Sequence, residues 1–247
     1  VYSNIYGGLV LNATINMYAH CTIELIEEEK IIFDSKDLGI LESYNNYNFL
    51  PLNSKLPLHC GVYNSIIKKY NNNSPLSIKI TTFADAPSGS GLGTSSAIVV
   101  SMIKAFVELL NLPLGEYDVA NLAYEIERID LKLSGGKQDQ YASTFGGFNL
   151  IEFSKNNHVT VNPLRIRQWI KNELEESLLL FFTGRSRESS NIINDQISNT
   201  LKKRKNNLKG MQKLKESAFK MKEALLKGDF NSIGLELKNG WNAKKET

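Results

Sequence analysis

Pro87-Ser88-Gly89-Ser90-Gly91-Leu92-Gly93-Thr94-Ser95-Ser96-Ala97 is the stretch on which the reading of this chain turns. It follows an alternating, strand-like run and opens an apolar helix. Glycines at alternate positions let a backbone curl and approach a ligand with no Cβ in the way. The hydroxyls of Thr94, Ser95 and Ser96 come next, where the helix begins. There the unpaired N–H groups and the positive end of the helix dipole favour an anion. The build suits a polyphosphate with its metal ion, and so points to phosphoryl transfer.

Upstream of the loop, Leu76 to Phe83 alternates as a half-buried strand, with Leu76, Ile78 and Ile80 on one side. Before it, Leu58 to Tyr70 has helical spacing, and Leu9 to Leu25 and Ile31 to Phe33 are rich in strand formers. Downstream, Ser95 to Leu110 is apolar nearly all round, as for a helix buried against a sheet. Helices are expected over 116–129 and 138–144, and a strand over Phe148 to Phe153. Ser177 to Thr183 reads by composition as a buried strand, and everything beyond Ser189 as helical, with breaks near Gly210 and Gly228. The expected class is α+β: a mixed-sheet half, then one strand and a helical half.

Bulk properties narrow the field. With 247 residues and 42% hydrophobic content, the chain can build a sizeable core in one large domain or two smaller ones. A net charge of +3 gives no concentrated basic face, so no nucleic-acid partner is expected. Lys202-Lys203-Arg204-Lys205 is read as a solvated helix face. Two cysteines, Cys21 and Cys60, lie far apart with no Cys/His cluster, which argues against structural zinc and fits a cytoplasmic setting. No apolar run approaches a membrane span, so no membrane partner is expected. The first residue is Val1, so a piece of a longer protein is expected.

A glycine-rich loop alone is a weak signal. A Walker A loop would need a lysine where Thr94 follows Gly93. A dinucleotide fingerprint would need other glycine spacing and a later acid. A nucleophile elbow needs Gly-x-Ser-x-Gly, which Gly89-Ser90-Gly91 does not supply. Acids sharpen the picture. Glu125 and Glu127 sit two apart on one predicted helix, so at most one faces a site built around the loop. Asp139 follows Gly135-Gly136 at a predicted helix start, where capping is its plain structural alternative. Phosphoryl transfer to an alcohol needs a phosphate cradle, a metal, oxygen ligands and a group that orients the hydroxyl. Loop amides, a hydroxyl such as Ser95, one Glu and one Asp make up such a set.

Pro87 to Ala97 resembles the second signature motif of the GHMP kinases. Gly135-Gly136-Lys137-Gln138-Asp139-Gln140-Tyr141, followed by Phe145-Gly146-Gly147, resembles their sugar-kinase branch, and within it the D-glycero-D-manno-heptose 7-phosphate kinases most closely. Tyr6 to Ile15 and Thr183 to Arg187 are similar to the same branch, so the resemblance spans most of the chain. It implies a two-part α+β fold, with residues 1–153 as an ATP-binding N-terminal domain and 154–247 as an incomplete C-terminal domain. It implies ATP and Mg²⁺ as cofactors and a sugar or sugar phosphate as substrate, phosphorylated in the heptose branch at the anomeric hydroxyl. A monomer or homodimer is expected.

Residue by residue, the resemblance implies that Pro87, Gly89, Ser90, Gly91, Leu92, Gly93, Thr94, Ser95 and Ser96 hold the ATP phosphates. Ser95 and Glu127 align with Mg²⁺ ligands, and Asp139 with the general base. Lys137 is placed to help hold phosphate. Arg185 and Arg187 are candidates for a phosphate on the substrate, which arginine binds through two parallel hydrogen bonds. Gly7 and Gly8 are candidates for substrate contact. The family's N-terminal substrate motif and its C-terminal glycine motif have no counterpart in the sequence. A fucose-type or mevalonate-type kinase, and a binding protein for ATP and sugar without turnover, stay open as alternatives.

Overall fold

The computed structural model describes residues 2–45, 47–181 and 190–247. The elements run α1 (Tyr2–Tyr6), β1 (Gly8–Ala13), β2 (Ala19–Leu25), β3 (Lys30–Ser35), β4 (Ile40–Asn45), α2 (Pro57–Tyr70), β5 (Ile78–Ala84) and α3 (Thr94–Leu109). Then follow α4 (Glu116–Tyr124), a π-helical turn (Glu125–Asp130), α5 (Gln138–Phe145), β6 (Phe148–Phe153), β7 (Val159–Pro163) and α6 (Gln168–Ser177). The chain ends in α7 (Ser190–Leu201), α8 (Lys205–Lys227) and α9 (Phe230–Lys244). Two compact units result. Ile15–Phe145 build one; residues 2–14 join residues 146–181 and 190–247 in the other.

The first unit is a four-stranded mixed sheet in the order β2-β5-β3-β4 with helices packed on it. β5 pairs antiparallel with β2 and parallel with β3, while β3 pairs antiparallel with β4. Alternation fixes which face is inward: Ile78, Ile80, Thr82 and Ala84 of β5 are buried, as are Ile31, Phe33 and Ser35 of β3. Above them lie Val62, Tyr63, Ile66 and Ile67 of α2 and Val99, Met102, Ile103 and Phe106 of α3, in one continuous core. Each such side chain contributes about 1.5–3 kcal/mol by leaving water. The all-round apolar character of α3 follows from its position between β2 and β5 and the helices α2, α4 and α5.

The second unit holds the antiparallel sheet β1-β6-β7, with Gly8 opposite Phe153 and Ala13 opposite Phe148. Ile166, Ile170, Ala224, Leu225 and Ile233 form its helical core, and α8 packs on both β1 and α9. Its first strand therefore comes from the start of the chain. Compact packing follows breaks after residues 14 and 145, which a single cut at 153 does not reproduce.

Three local expectations are corrected. Ser177 ends α6, and Leu178 to Phe181 carry no strand assignment, with side chains 53–79% exposed. An apolar run predicts burial only where a strand partner exists, and the sheet β1-β6-β7 provides none for it. Gly210 does not break α8; its missing Cβ, which would come within 2.9 Å of Thr247 and 3.0 Å of the Ala243 carbonyl, lets the chain approach closely. The Lys202–Lys205 run is no continuous helix face, because the chain turns there between α7 and α8 with Lys203 at φ 50°.

Candidate active site

The glycine loop lies between β5 and α3. Gly89, Gly91 and Gly93 all take left-handed φ, at 72°, 80° and 79°. Side-chain-bearing residues resist that conformation, so the alternate glycines are what the curled path requires. Gly93 caps α3 with no side-chain hydrogen bond, and no acid sits in the first turn. The first amides of α3 and its positive dipole end are thus left for an anion. Ser90 Oγ and Thr94 Oγ1 are buried without a hydrogen-bond partner, a cost that a ligand oxygen would remove. Ser88, Thr94 and Ser95 open onto a cavity of about 130 Å³ whose wall includes Lys55, Leu56 and His59.

Two acids reach this loop from separate elements. Asp139, in the first turn of α5, stands beside Gly93: a Cβ at Gly93 would meet its Oδ1 at 3.6 Å. Glu127 lies in the π-helical turn, where Leu131 N–H donates to the Ile126 carbonyl over 2.9 Å. Such a widened turn shifts side-chain phase and is common at functional sites. Glu127 is 1% exposed and accepts from Ser96 Oγ at 2.8 Å and from Gln140 Nε2. Glu125, two residues earlier, turns outward to Lys69 at 2.5 Å, as the spacing required.

Burial raises both carboxyl groups above their ordinary range. Arg128 opposes the rise in each, and Glu127 and Asp139 lie close enough for Asp139 to push Glu127 further up. Arg128 donates through Nε to the Gly136 carbonyl at 3.1 Å, with NH2 3.9 Å from Glu127 Oε2. Gly135 makes that possible, since a Cβ there would come within 2.6 Å of the guanidinium carbon. Lys137 lies 4.6 Å over the Tyr124 ring, and burial lowers its pKa. The far end of α5 is held by other contacts: Lys104 of α3 donates to the Thr144 carbonyl, and Phe145 packs edge-on against Tyr117.

The structure therefore brings together the loop, Ser96, Glu127 and Asp139. Ser95 stands exposed in the first turn of α3, and the direct partner of Glu127 is Ser96. Gly7 and Gly8 belong to the other unit, where Gly7 N–H closes the turn after α1 on the Ser3 carbonyl and Gly8 begins β1. Arg185 and Arg187 lie outside the described residues. Sequence reasoning missed Arg128 and Gln140, whose roles depend on contacts made across 8 and 13 residues of chain. The donor set is chemically fit for Mg²⁺, a cation that takes few protein oxygens and completes its shell with phosphate and water. A hydroxyl at Ser95 and a carboxylate at Glu127 are hard oxygens of that kind, beside two unpartnered buried hydroxyls.

Comparison with known proteins gives a consistent result. The model of the GHMP kinases N terminal domain matches residues 50–147. The chain is 49% identical over 245 residues to a D-glycero-alpha-D-manno-heptose 7-phosphate kinase of Campylobacter jejuni, covering 99% of this chain and 71% of the relative. A bifunctional fucokinase/GDP-fucose pyrophosphorylase of Arabidopsis thaliana is 27% identical over 68% of this chain, which spans 16% of that protein. Among solved structures, a D-glycero-D-manno-heptose 1-phosphate kinase from Bacteroides thetaiotaomicron superposes with TM-score 0.86 at 48% identity, covering 100% of this chain and 73% of the other. The galactokinase of Lactococcus lactis shares the fold at TM-score 0.70 and 16% identity, over 99% of this chain and 71% of its own. No helix among the described residues is long and apolar enough to cross a membrane.

Proposed function

The chain belongs to the GHMP kinases, and from that premise we propose that it phosphorylates the anomeric hydroxyl of D-glycero-D-manno-heptose 7-phosphate with ATP, giving the 1,7-bisphosphate. The observation that carries this reading is Asp139 held against Gly93, a carboxylate beside the phosphate cradle. The name of the 49% identical relative supports the sugar, and the 1-phosphate in the name of the superposed structure marks which position to test.

In this reading the amides at the start of α3 and the loop hydroxyls grip the ATP phosphates and face the negative charge that develops during transfer. Ser95 and Glu127 hold Mg²⁺. When bound, Mg²⁺ neutralises phosphate charge and fixes the phosphate geometry. Asp139 accepts or orients the proton of the attacking hydroxyl, a task helped by a pKa that burial has raised toward working pH. Lys137 adds positive charge near the phosphates. Arg185 and Arg187 are proposed to take the phosphate already on the sugar.

Turnover of the full-length protein decides the matter. With ATP and Mg²⁺, heptose 7-phosphate should give a 1,7-bisphosphate by ³¹P NMR, while fucose, galactose and mevalonate should turn over poorly. A preference for heptose 1-phosphate, or for one of the other acceptors, would overturn the assigned substrate. Asp139→Asn should lower kcat by about 10²–10⁴, the reach of a general base, with the KM for ATP little changed. Near-normal turnover would remove Asp139 from the mechanism.

A further inference from the structure

We propose that Gln140, together with Ser96, is a positioning residue that fixes the Glu127 carboxylate for the metal–phosphate grip; this rests on Glu127 being a metal ligand, as proposed above. Gln140 is fully buried, at 0% exposure. Its Nε2 donates both to Glu127 Oε2 and, at 3.2 Å, to Ser96 Oγ. Ser96 Oγ–H in turn donates a hydrogen bond to the same Glu127 oxygen at 2.8 Å. One carboxylate oxygen is thus clamped by an amide from α5 and a hydroxyl from α3, while the carboxylate itself rides on the π-helical turn.

The other end of the amide shows what sets its orientation. Gln140 Oε1 is buried with no hydrogen-bond partner. An orphaned acceptor is unfavourable, and packing alone would favour an apolar side chain of the same shape. Flipping the amide would turn Oε1 against the carboxylate and lose both donated bonds. The observed orientation therefore serves Glu127 at the expense of Gln140. Chain position adds the second half of the argument. Gln140 follows Asp139 directly, and Ser96 follows Ser95 directly. The clamp thereby ties the group beside Gly93 and the exposed hydroxyl of α3 to one rigid reference, the Glu127 carboxylate.

Gln140→Met keeps the volume and removes both donors and the orphaned acceptor. In the full-length protein its melting temperature should stay close to that of the parent, because losing the donor to buried Glu127 and losing the orphaned acceptor act in opposite directions. Its affinity for Mn²⁺ in the presence of a non-hydrolysable ATP analogue, read by EPR, should fall by about 10–100-fold, as for loss of a group that orients a metal ligand. Raising Mg²⁺ should restore kcat, which a purely structural defect would not allow. Ser96→Ala, a smaller change, should weaken Mn²⁺ binding in the same direction. Glu127→Gln separates the premises. If it loses Mn²⁺ while Gln140→Met and Ser96→Ala bind like the parent, the positioning role is overturned and the metal-ligand reading stands. If Glu127→Gln binds Mn²⁺ normally, both are overturned.

Discussion

Arg128 sits where two buried carboxyl groups need it. Burial raises Glu127 and Asp139, and the guanidinium is the leading opposing influence on each. Arg128→Met would keep most of the packing and remove the charge. Both carboxyl groups would then rise further, so the ionised form needed for catalysis would be lost at a higher pH as acid is added. The acid limb of the kcat/KM profile should move to higher pH; an unmoved limb would mean that neither group governs the rate. His59 titrates in the opposite sense. It is 3% exposed, its Nδ1 has no partner, and burial lowers its pKa from 6.5 to about 4. Between those values the unfolded chain binds more protons than the folded one. Stability is therefore intact above 6.5 and drains away as pH falls toward about 4, by about 3 kcal/mol in all. His59→Gln should flatten that part of the curve in urea melts; parallel curves for parent and variant would exclude His59 as the cause. Glu127 and Asp139 were legible only through the resemblance to the family motif, since spacing alone says no more than that Glu125 and Glu127 face different ways. Arg128 and Gln140 were not, because a guanidinium over Gly135 and an amide aimed at Glu127 exist only after α4, the π-helical turn and α5 have packed.

At the scale of elements, α3 shows how a strained cap and a binding site share one residue. Gly93 holds φ 79° at the N-cap, and a Cβ there would have room, with its nearest neighbour at 3.6 Å. Gly93→Ala would thus suffer from backbone strain rather than collision, at about 1–2 kcal/mol. Relief of that strain would reorient the first amides of α3. The KM for ATP should rise by about 5–30-fold if the strain is taken from binding, with the KM for the sugar unchanged. An unchanged KM for ATP would show that these amides do not hold the phosphates. Periodicity placed the elements around the loop well, but not their burial: β5 buries one alternating face, α3 keeps Ser95, Lys104 and Glu108 exposed, and α2 buries every residue from His59 to Ile67. It passed over β4 and β7, short strands whose identity comes from their partners β3 and β6. The reverse error at Leu178 to Phe181 has the same origin: strand character in a sequence is a capacity for pairing, and pairing is decided elsewhere in the chain.

For the whole molecule, the decisive fact is that sequence order and packing order differ. Every buried residue of the larger core, from Ile31 to Ile126, falls within Ile15–Phe145. So do the glycine loop, Glu127, Asp139 and Gln140. The sheet of the other unit instead draws β1 from the start of the chain and zips it along all of β6. Linear reading favours one boundary near 153, because a strand that returns to pair across more than a hundred residues leaves no local trace. The two arrangements respond differently to truncation. A fragment of residues 15–145 should show mixed α/β circular dichroism and a cooperative melt, since it retains its sheet, helices and core intact. Removing residues 1–14 from the full-length protein should leave that transition in place. It should destabilise the unit containing β6, which loses a ladder partner at each of its six residues and exposes an edge. Limited proteolysis would then cut within the region after Gly146 first and leave 15–145 protected. A fragment 15–145 that melts without cooperativity, or a truncated protein whose two parts lose protection together, would show that the units are not independent in stability.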